Sequence, residues 1–265
     1  MTDNLKATTL SYVIINNTSN DGTPYFLTAN HCFSNPSSWA FRFGWISPTP
    51  VCATTAPSTN GPTNLTISGA TEIARDAGSD FALVEINQAI PEDWDRVFAG
   101  WDRSEITPDF TVGIHHPAGD IMKVCRDNDQ PIQAINAGAQ TWEITTAGGG
   151  WEIGVTEPGS SGSPLFDAEG RIIGQLYGGG AACSGTVDNG LYDYYGRLGV
   201  SWEGGGSPSS RLRDWHPLPG LLLSQIQEGL RFLHYRLNLG SSLLEFPDLL
   251  PENIYLLKKD IIMCL

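Results

Sequence analysis

Positive charge is scarce in this chain. Only 15 residues are Lys or Arg against 29 Asp or Glu, which leaves a formal net charge of −14. A phosphate backbone or an anionic bilayer recruits the opposite balance, so the composition argues against nucleic acid and against a membrane surface as partners. Charge of either sign is thin, at 17% of residues, while 40% hydrophobic residues, 30 Gly and 17 Pro describe a globular chain rich in turns. No stretch reaches the ~18 consecutive apolar residues that a membrane-spanning helix needs. The cysteines, Cys32, Cys52, Cys125, Cys183 and Cys264, show no CxxC spacing, which excludes the common zinc patterns. No metal and no cofactor is therefore expected. Residues 1–6 lack the basic-then-apolar pattern of a secretory leader. A length of 265 residues suits one large all-β domain or two small ones.

What is present centres on Glu157-Pro158-Gly159-Ser160-Ser161-Gly162-Ser163-Pro164. Glycine on both sides of the Ser160-Ser161 pair permits a sharp turn that exposes the Ser161 hydroxyl. The amides of Gly159 and Ser161 can then converge on an oxyanion. Alone, such a cluster reads as an ordinary turn. Two further stretches change that reading. Tyr25-Phe26-Leu27-Thr28-Ala29 has the pattern of a strand and runs into Asn30-His31-Cys32, and Ser79-Asp80 precedes the alternating run Phe81 to Ile86. A serine hydroxyl is a weak nucleophile unless an imidazole takes its proton, and the imidazole needs a carboxylate to fix its tautomer. The order His31, Asp80, Ser161, with gaps of 49 and 81 residues, matches the chain order of two-barrel trypsin-like proteases rather than that of subtilisins or α/β-hydrolases.

These stretches, with Ala99 to Arg103 (AGWDR), Ile114 to Pro117 (IHHP), Gly154 to Phe166, Gly174 to Gly179 (GQLYGG), Tyr195 to Arg197 (YGR) and Ser210 to Trp215 (SRLRDW), resemble the bacterial lysyl endopeptidases. Those are secreted members of the trypsin-like serine proteases. The resemblance runs from about Leu10 to Trp215 and implies an all-β, chymotrypsin-like double β-barrel with the active site between the barrels. It implies an extracellular, monomeric enzyme acting on protein or peptide substrates. It carries a specificity carboxylate onto Asp193, at the base of a pocket walled by Thr156 and Glu157 and flanked by Tyr177. Lysine-specific members usually carry His where this chain has Tyr177, which leaves the choice between Lys and Arg open. A compact ammonium still suits a buried carboxylate. The resemblance also places three of the cysteines in disulfides. The family partners of Cys32, Cys52 and Cys183 lie in an N-terminal stretch absent here, so the first barrel is expected to be truncated, with Leu10 near one missing partner. Ser160 stands where animal trypsins have the Asp that pairs with a freed N-terminus, so that switch is not expected.

Along the chain, residues 1–98 form the expected first barrel, 99–215 the second, and 216–265 a tail of different character. Leu10 to Ile15, Tyr25 to Ala29, Trp39 to Ile46, Leu65 to Ile73 and Asp80 to Ile86 read as strands of the first unit. Residues 48–62 read as a loop rich in Pro, Thr, Ser and Ala. Trp94 and Trp101 are expected to pack under the crossover that begins near Pro91. Val112 to His115, Met122 to Cys125, a hairpin of Ile132 to Ala139 with Trp142 to Thr146, and Ile172 to Tyr177 read as strands of the second unit. Gly148-Gly149-Gly150 reads as a hinge or a close approach to substrate. His115 and His116, neighbours on a strand, point to opposite faces and suit structural hydrogen bonds better than a shared metal. Gly178-Gly179-Gly180 leaves room for an extended substrate backbone to pair as an added strand. The tail holds 15 leucines, with Leu223, Ile226, Leu230, Leu233 and Leu237 at helical spacing. A packing helix, a sorting tail and a non-native end are all compatible with it.

Two rivals to the peptidase reading stand on the sequence. One is a catalytically inactive, protease-like module that binds peptides. The other is a glycoside hydrolase, suggested by eight Trp and many carboxylates, but that chemistry needs a facing carboxylate pair and no motif supplies one.

Overall fold

A computed structural model describes residues 11–47, 62–94, 96–146, 149–184 and 187–215. The expected tail helix, the 48–62 loop apart from its last residue, Leu10, Cys52, Gly148 and Cys264 lie outside the described residues. Among the described residues fifteen short strands and one short α-helix, besides several 3-10 turns, make up the regular structure: β1 Val13–Ile14, β2 Tyr25–Ala29, β3 Ala40–Arg42, β4 Thr66–Ser68, β5 Ala70–Asp76, β6 Phe81–Ile86, β7 Thr111–His115, β8 Lys123–Asp127, β9 Ile132–Asn136, β10 Ala139–Ile144, β11 Pro164–Phe166, β12 Ile172–Gly179, β13 Cys183–Ser184, β14 Val187–Asp188, β15 Asp193–Arg197 and α1 Leu198–Glu203.

The strands pair in antiparallel ladders, some between chain neighbours such as β9 and β10 and others between distant segments such as β2 and β6 or β10 and β15. A four-stranded sheet has the order β1-β2-β6-β5, and a seven-stranded sheet the order β8-β7-β11-β12-β15-β10-β9. β3 pairs with β4, and β13 with β14, as separate ribbons. Alternation decides which side chains go inside. Phe26, Phe41, Val84 and Ile86 fill one core beside the four-stranded sheet, with Phe26 and Phe41 edge-on at 4.7 Å. Trp142, Leu165, Leu176 and Tyr195 fill a core of the larger sheet. A third cluster contains Leu27 and Leu83 from the first sheet, Ile15 just beyond β1, and Val112, Phe166 and Ile172 from the second. This shared core welds the two sheets, and each fully buried aliphatic or aromatic side chain in it contributes roughly 1.5–3 kcal/mol. Trp101 joins the same core, stacks beside Trp202 at 5.0 Å and donates its indole N–H to the Asn16 carbonyl. Trp94 instead packs against Phe43.

Some elements are shorter or shifted relative to the sequence pattern. The Trp39 to Ile46 run yields only β3, because Gly44 adopts a left-handed φ of 60° and turns the chain. The β9–β10 hairpin turns at Ala137 and Gly138, with φ of 49° and 86°, three residues earlier than its hydrophobic pattern suggests. A two-residue turn of this kind needs both centres left-handed, and an alanine there gives no warning. Asp193, which also fits a solvated turn, is buried in β15. Cys32, Cys125 and Cys183 are unpaired thiols, so no disulfide forms among the described residues.

Candidate active site

His31 sits in a single 3-10 turn, Asn30–Cys32, immediately after β2. Asp80 immediately precedes β6, and β2 and β6 pair from Tyr25↔Glu85 to Ala29↔Phe81, so the ladder itself brings the two residues together. Asp80 has φ of 56°, a left-handed conformation that Asp tolerates better than most residues. In that pose the residue grips the His31 turn three times. Its carbonyl accepts the Asn30 amide at 2.7 Å, its Oδ1 accepts the His31 amide at 2.7 Å, and its Oδ2 pairs with His31 Nδ1 at 2.7 Å. The carboxylate is 4% exposed, and the imidazole 35%. The Asp80 hydrogen bond, and after it the contact with Cys32, push the imidazole pKa up to about 10, against a smaller opposing effect of burial. The loop that carries Asp80 is anchored to the second sheet: Gln175 donates its amide to the Ser79 carbonyl at 2.7 Å, and the Ser79 and Ser201 hydroxyls lie 2.8 Å apart.

Ser161 lies on the turn between Gly159 and Gly162, just before β11. Both glycines are left-handed, with φ of 98° and 82°. A Cβ on Gly159 would sit 2.9 Å from the Ala118 amide nitrogen, and one on Gly162 would run into Thr28 Oγ1 and come within 2.6 Å of the Ser11 carbonyl. The turn is thus pressed against the end of β2, next to His31. Ser11 fastens it there. Its amide donates to the Ser161 carbonyl at 3.1 Å, its hydroxyl donates to the Gly159 carbonyl at 3.2 Å, and the same hydroxyl accepts the His116 amide at 2.8 Å. With their carbonyls held this way, the amides of Gly159 and Ser161 donate to nothing among the described residues. Ser161 Oγ likewise makes no hydrogen bond there, and His31 Nε2 faces Cys32 Sγ at 3.3 Å. His31 and Asp80 are therefore joined directly, whereas Ser161 is held beside them without a direct bond.

A second imidazole supports the same turn from beneath. The fully enclosed Ser160 hydroxyl accepts the Glu157 amide at 3.2 Å, which leaves its proton for His115 Nδ1 at 2.7 Å. Burial, and then the neighbouring His116 and Lys123, push the His115 pKa down to about 3. His116 points elsewhere, its Nδ1 against the Asp120 carbonyl at 3.0 Å.

Asp193 pairs in register with Ile144 on one side and Gly179 on the other. It is 1% exposed. Its Oδ2 accepts the Thr156 hydroxyl at 2.5 Å and the Trp151 indole N–H at 2.8 Å. Burial raises its pKa more than these two donors lower it. A buried carboxylate served only by neutral donors favours a cation brought to it. Tyr177 lies between His31 and Tyr194, with ring centroids 5.3 Å from each, and Gly178 pairs with Tyr194. Glu157 is close enough to Cys183 to raise the thiol's pKa, after the effect of burial. An open groove of roughly 680 Å³, lined by Asp129, Gln130, Ile132, Glu143, Thr145, Thr146 and Tyr192, contains none of the three residues His31, Asp80 and Ser161.

The structure brings together His31 with Asp80 and Gly159 with Ser161, as the motifs suggest, and Thr156 with Asp193, as the resemblance implies. Ser11 and Trp151 escaped sequence reasoning. Ser11 offered one signal, a polar residue inside an apolar strand pattern. Trp151 offered none.

The model of the lysyl endopeptidase C-terminal domain matches residues 3–196. A curated lysyl endopeptidase from Pseudomonas aeruginosa is 29% identical over 191 residues, which are 69% of this chain and 39% of that protein. The chain thus spans well under half the length of this relative. Among solved structures, the Rv3671c protease is similar in its inactive form (TM-score 0.43, 14% identity, 72% of this chain and 78% of that one). Its active form from M. tuberculosis gives TM-score 0.41 at 15% identity over 72% and 69% of the two chains. The match over residues 3–196 covers the His31–Asp80 pair, the Ser161 turn and Asp193 alike, and the chain belongs to the lysyl endopeptidase C-terminal domain family.

Proposed function

We propose that this chain is a secreted serine endopeptidase that cuts protein or peptide substrates after basic residues, with lysine favoured. The observation that carries the reading is the pairing of Asp80 with His31 next to a turn whose Gly159 and Ser161 amides have no other partner among the described residues. In this reading the four- and seven-stranded sheets are the two halves of a chymotrypsin-like double barrel. In this reading the site lies where β2 meets β12 and the Gly162 turn that precedes β11.

The reaction follows from the charges. Ser161 Oγ attacks the scissile carbonyl carbon while His31 Nε2 takes its proton. Asp80 keeps Nδ1 protonated and offsets the imidazolium charge. The carbonyl oxygen becomes an oxyanion and receives the amides of Gly159 and Ser161, each such donor being worth about 3 kcal/mol of barrier. The C–N bond breaks as Nε2 returns the proton to the leaving amine. Water, deprotonated by the same nitrogen, then releases the acyl group. Asp193 receives the lysine ammonium of the residue before the cut. Trp151 and Thr156 hold its carboxylate in place for that charge. Gly178 and its neighbours accept the substrate backbone as an added strand.

One observation favours a second reading, a peptide-binding module without turnover: His31 Nε2 faces Cys32 rather than Ser161. A fluorophosphonate probe separates the two, because it phosphonylates, with loss of fluoride, only a serine whose base and oxyanion donors are assembled. The endopeptidase reading expects labelling at Ser161, mapped by mass spectrometry and lost in His31→Ala. An unlabelled, folded protein that still binds lysyl peptides would establish the second reading. Specificity is tested separately. Asp193→Asn should abolish the preference for lysyl over neutral peptides, and an unchanged preference would remove Asp193 from the pocket.

A further inference from the structure

Away from His31 and Ser161, β8 ends in Asp127, and the chain continues through Asn128 to Asp129. Across from it, Glu152 is held by the neighbouring backbone: the Arg126 amide donates to the Ile153 carbonyl at 2.8 Å and the Glu152 amide to the Arg126 carbonyl at 3.1 Å. One carboxylate oxygen from each of Asp127, Asp129 and Glu152 lies within 4.8 Å of the other two. Exposed acidic residues often gather without consequence, and Asp129 and Glu152 are exposed. Asp127 is different. It is 1% exposed, its Oδ1 accepts the Asp129 amide at 2.9 Å, and its Oδ2 is closed off from solvent with no hydrogen-bond partner. Directly opposite in the ladder, and so on the same face of the sheet, stands Thr111, whose buried Oγ1 also has no partner. Among the described residues no Lys or Arg forms an ion pair with any of the three carboxylates. A buried anionic oxygen without a donor, beside two more anions, is unfavourable unless a cation or a proton balances it.

We propose that Asp127, Asp129 and Glu152 bind a calcium ion, with Asp127 as the buried anchor and water completing the shell. The donors are all hard oxygens, which suits calcium or magnesium and not zinc or copper. Carboxylate number separates the first two: magnesium is usually held by one or two carboxylates in a strict octahedron, whereas calcium takes six to eight oxygens in a flexible shell and accommodates three. Open coordination positions on the solvent side also suit the tolerant shell of calcium. The frame is pre-set, since Asp127 is fixed by its pairing with Thr111 and Glu152 by the Arg126–Ile153 contact. Burial, first, and then the adjacent Glu152 and Asp129 push the Asp127 carboxyl up to about 7 against the Asp129 amide, the direction that an uncompensated anion should show. The ion would clamp β8 to the segment that carries Trp151, and so to the indole that holds Asp193.

The test is thermal unfolding of the whole chain at pH 8, stripped with a chelator and then titrated with CaCl2 or MgCl2 at constant ionic strength. For a site of roughly 0.1–1 mM affinity, 10 mM calcium should raise Tm by about 4–8 °C. Magnesium should raise it by much less. Asp129→Asn combined with Glu152→Gln changes only exposed ligands, so the variant should fold and lose the calcium-dependent rise. No rise with calcium, or a rise that this variant retains, would overturn the site, and an equal rise with magnesium would overturn its assignment to calcium. The readout is stability, so it stands or falls independently of peptidase activity.

Discussion

Two histidines in this chain have comparable neighbours and opposite fates. His31 follows the end of β2 and His115 ends β7, both lie beside the turn that carries Ser160 and Ser161, and each has one oxygen partner 2.7 Å from Nδ1. For His31 that oxygen belongs to a carboxylate, and a third of the side chain meets solvent. For His115 it belongs to a hydroxyl, and the ring is sealed in the core. The first is pushed up to about 10 and the second down to about 3. An imidazole that must gain and lose a proton needs a fixed anion and an open edge. One that must only hold a loop in place is best kept neutral. The difference shows that a His beside a Ser means little by itself, and that the charge of the third partner and access to water decide the role.

The sharpest way to break the contrast is to remove the charge from the His31 side. Asp80→Asn should leave the fold intact and lower kcat for lysyl substrates by about 10⁴-fold, because the amide offers Nδ1 no anion and permits the wrong tautomer. Ser161→Ala should remove turnover by a similar or larger factor. Stopped assays on a lysyl ester and a lysyl peptide measure both. Retention of more than a tenth of the activity in either variant would sink the role assigned to that residue.

The next effect is on stability, and the two histidines should act with opposite sign. His115 has its folded pKa depressed to about 3 from an ordinary value of 6.5. Between those values the unfolded chain binds the proton and the folded chain does not. Its contribution is therefore full above pH 6.5 and lost progressively as pH falls toward 3, by roughly 4–5 kcal/mol in all. His31 has its folded pKa raised, so its contribution is full below pH 6.5 and lost as pH rises through about 10, and solvent screening at its exposed edge makes that loss smaller. Urea unfolding from pH 4 to 6 should show a shallower pH slope in His115→Asn than in the wild type, by about one bound proton. Identical slopes would mean that His115 is already charged in the folded state.

How far all this could be read from the sequence depended on whether a signal was local. β2, its approach to His31, and the Asp80–β6 junction were legible because a period-2 pattern sets register, and register alone places Asp80 on His31. The Ser161 turn was legible because Gly159 and Gly162 occupy conformations and spaces that only glycine fits. Ser11 was not legible as an anchor, since its three hydrogen bonds to Gly159, Ser161 and His116 join residues more than a hundred positions apart. Trp151 was hidden for the same reason. The Ala137–Gly138 turn was missed because turn chemistry favours Asn or Gly where this chain has Ala. The resemblance to a family supplied Asp193, and its burial in β15 came from packing, which no single-sequence pattern expresses.

The finest adjustment to the comparison concerns Cys32. Its sulfur lies 3.3 Å from His31 Nε2, the atom that receives the Ser161 proton in the proposed mechanism, and this contact is the second cause of the raised pKa after the Asp80 hydrogen bond. While the contact persists, His31 holds its proton through neutral pH and cannot act as a base. Catalysis then requires the imidazole to turn from the thiol to Ser161, and activity should climb with pH as the neutral form becomes populated. Cys32→Ala removes the competing partner and leaves the Asp80 bonds in place. The acidic limb of the kcat/KM profile should move to lower pH by about one unit, with the plateau little changed, because only the proton affinity of the base has been altered. A profile that does not move would mean that the Cys32 contact is broken in the working enzyme and that Asp80 alone sets the character of His31, which would sharpen the contrast with His115 to one carboxylate against one hydroxyl.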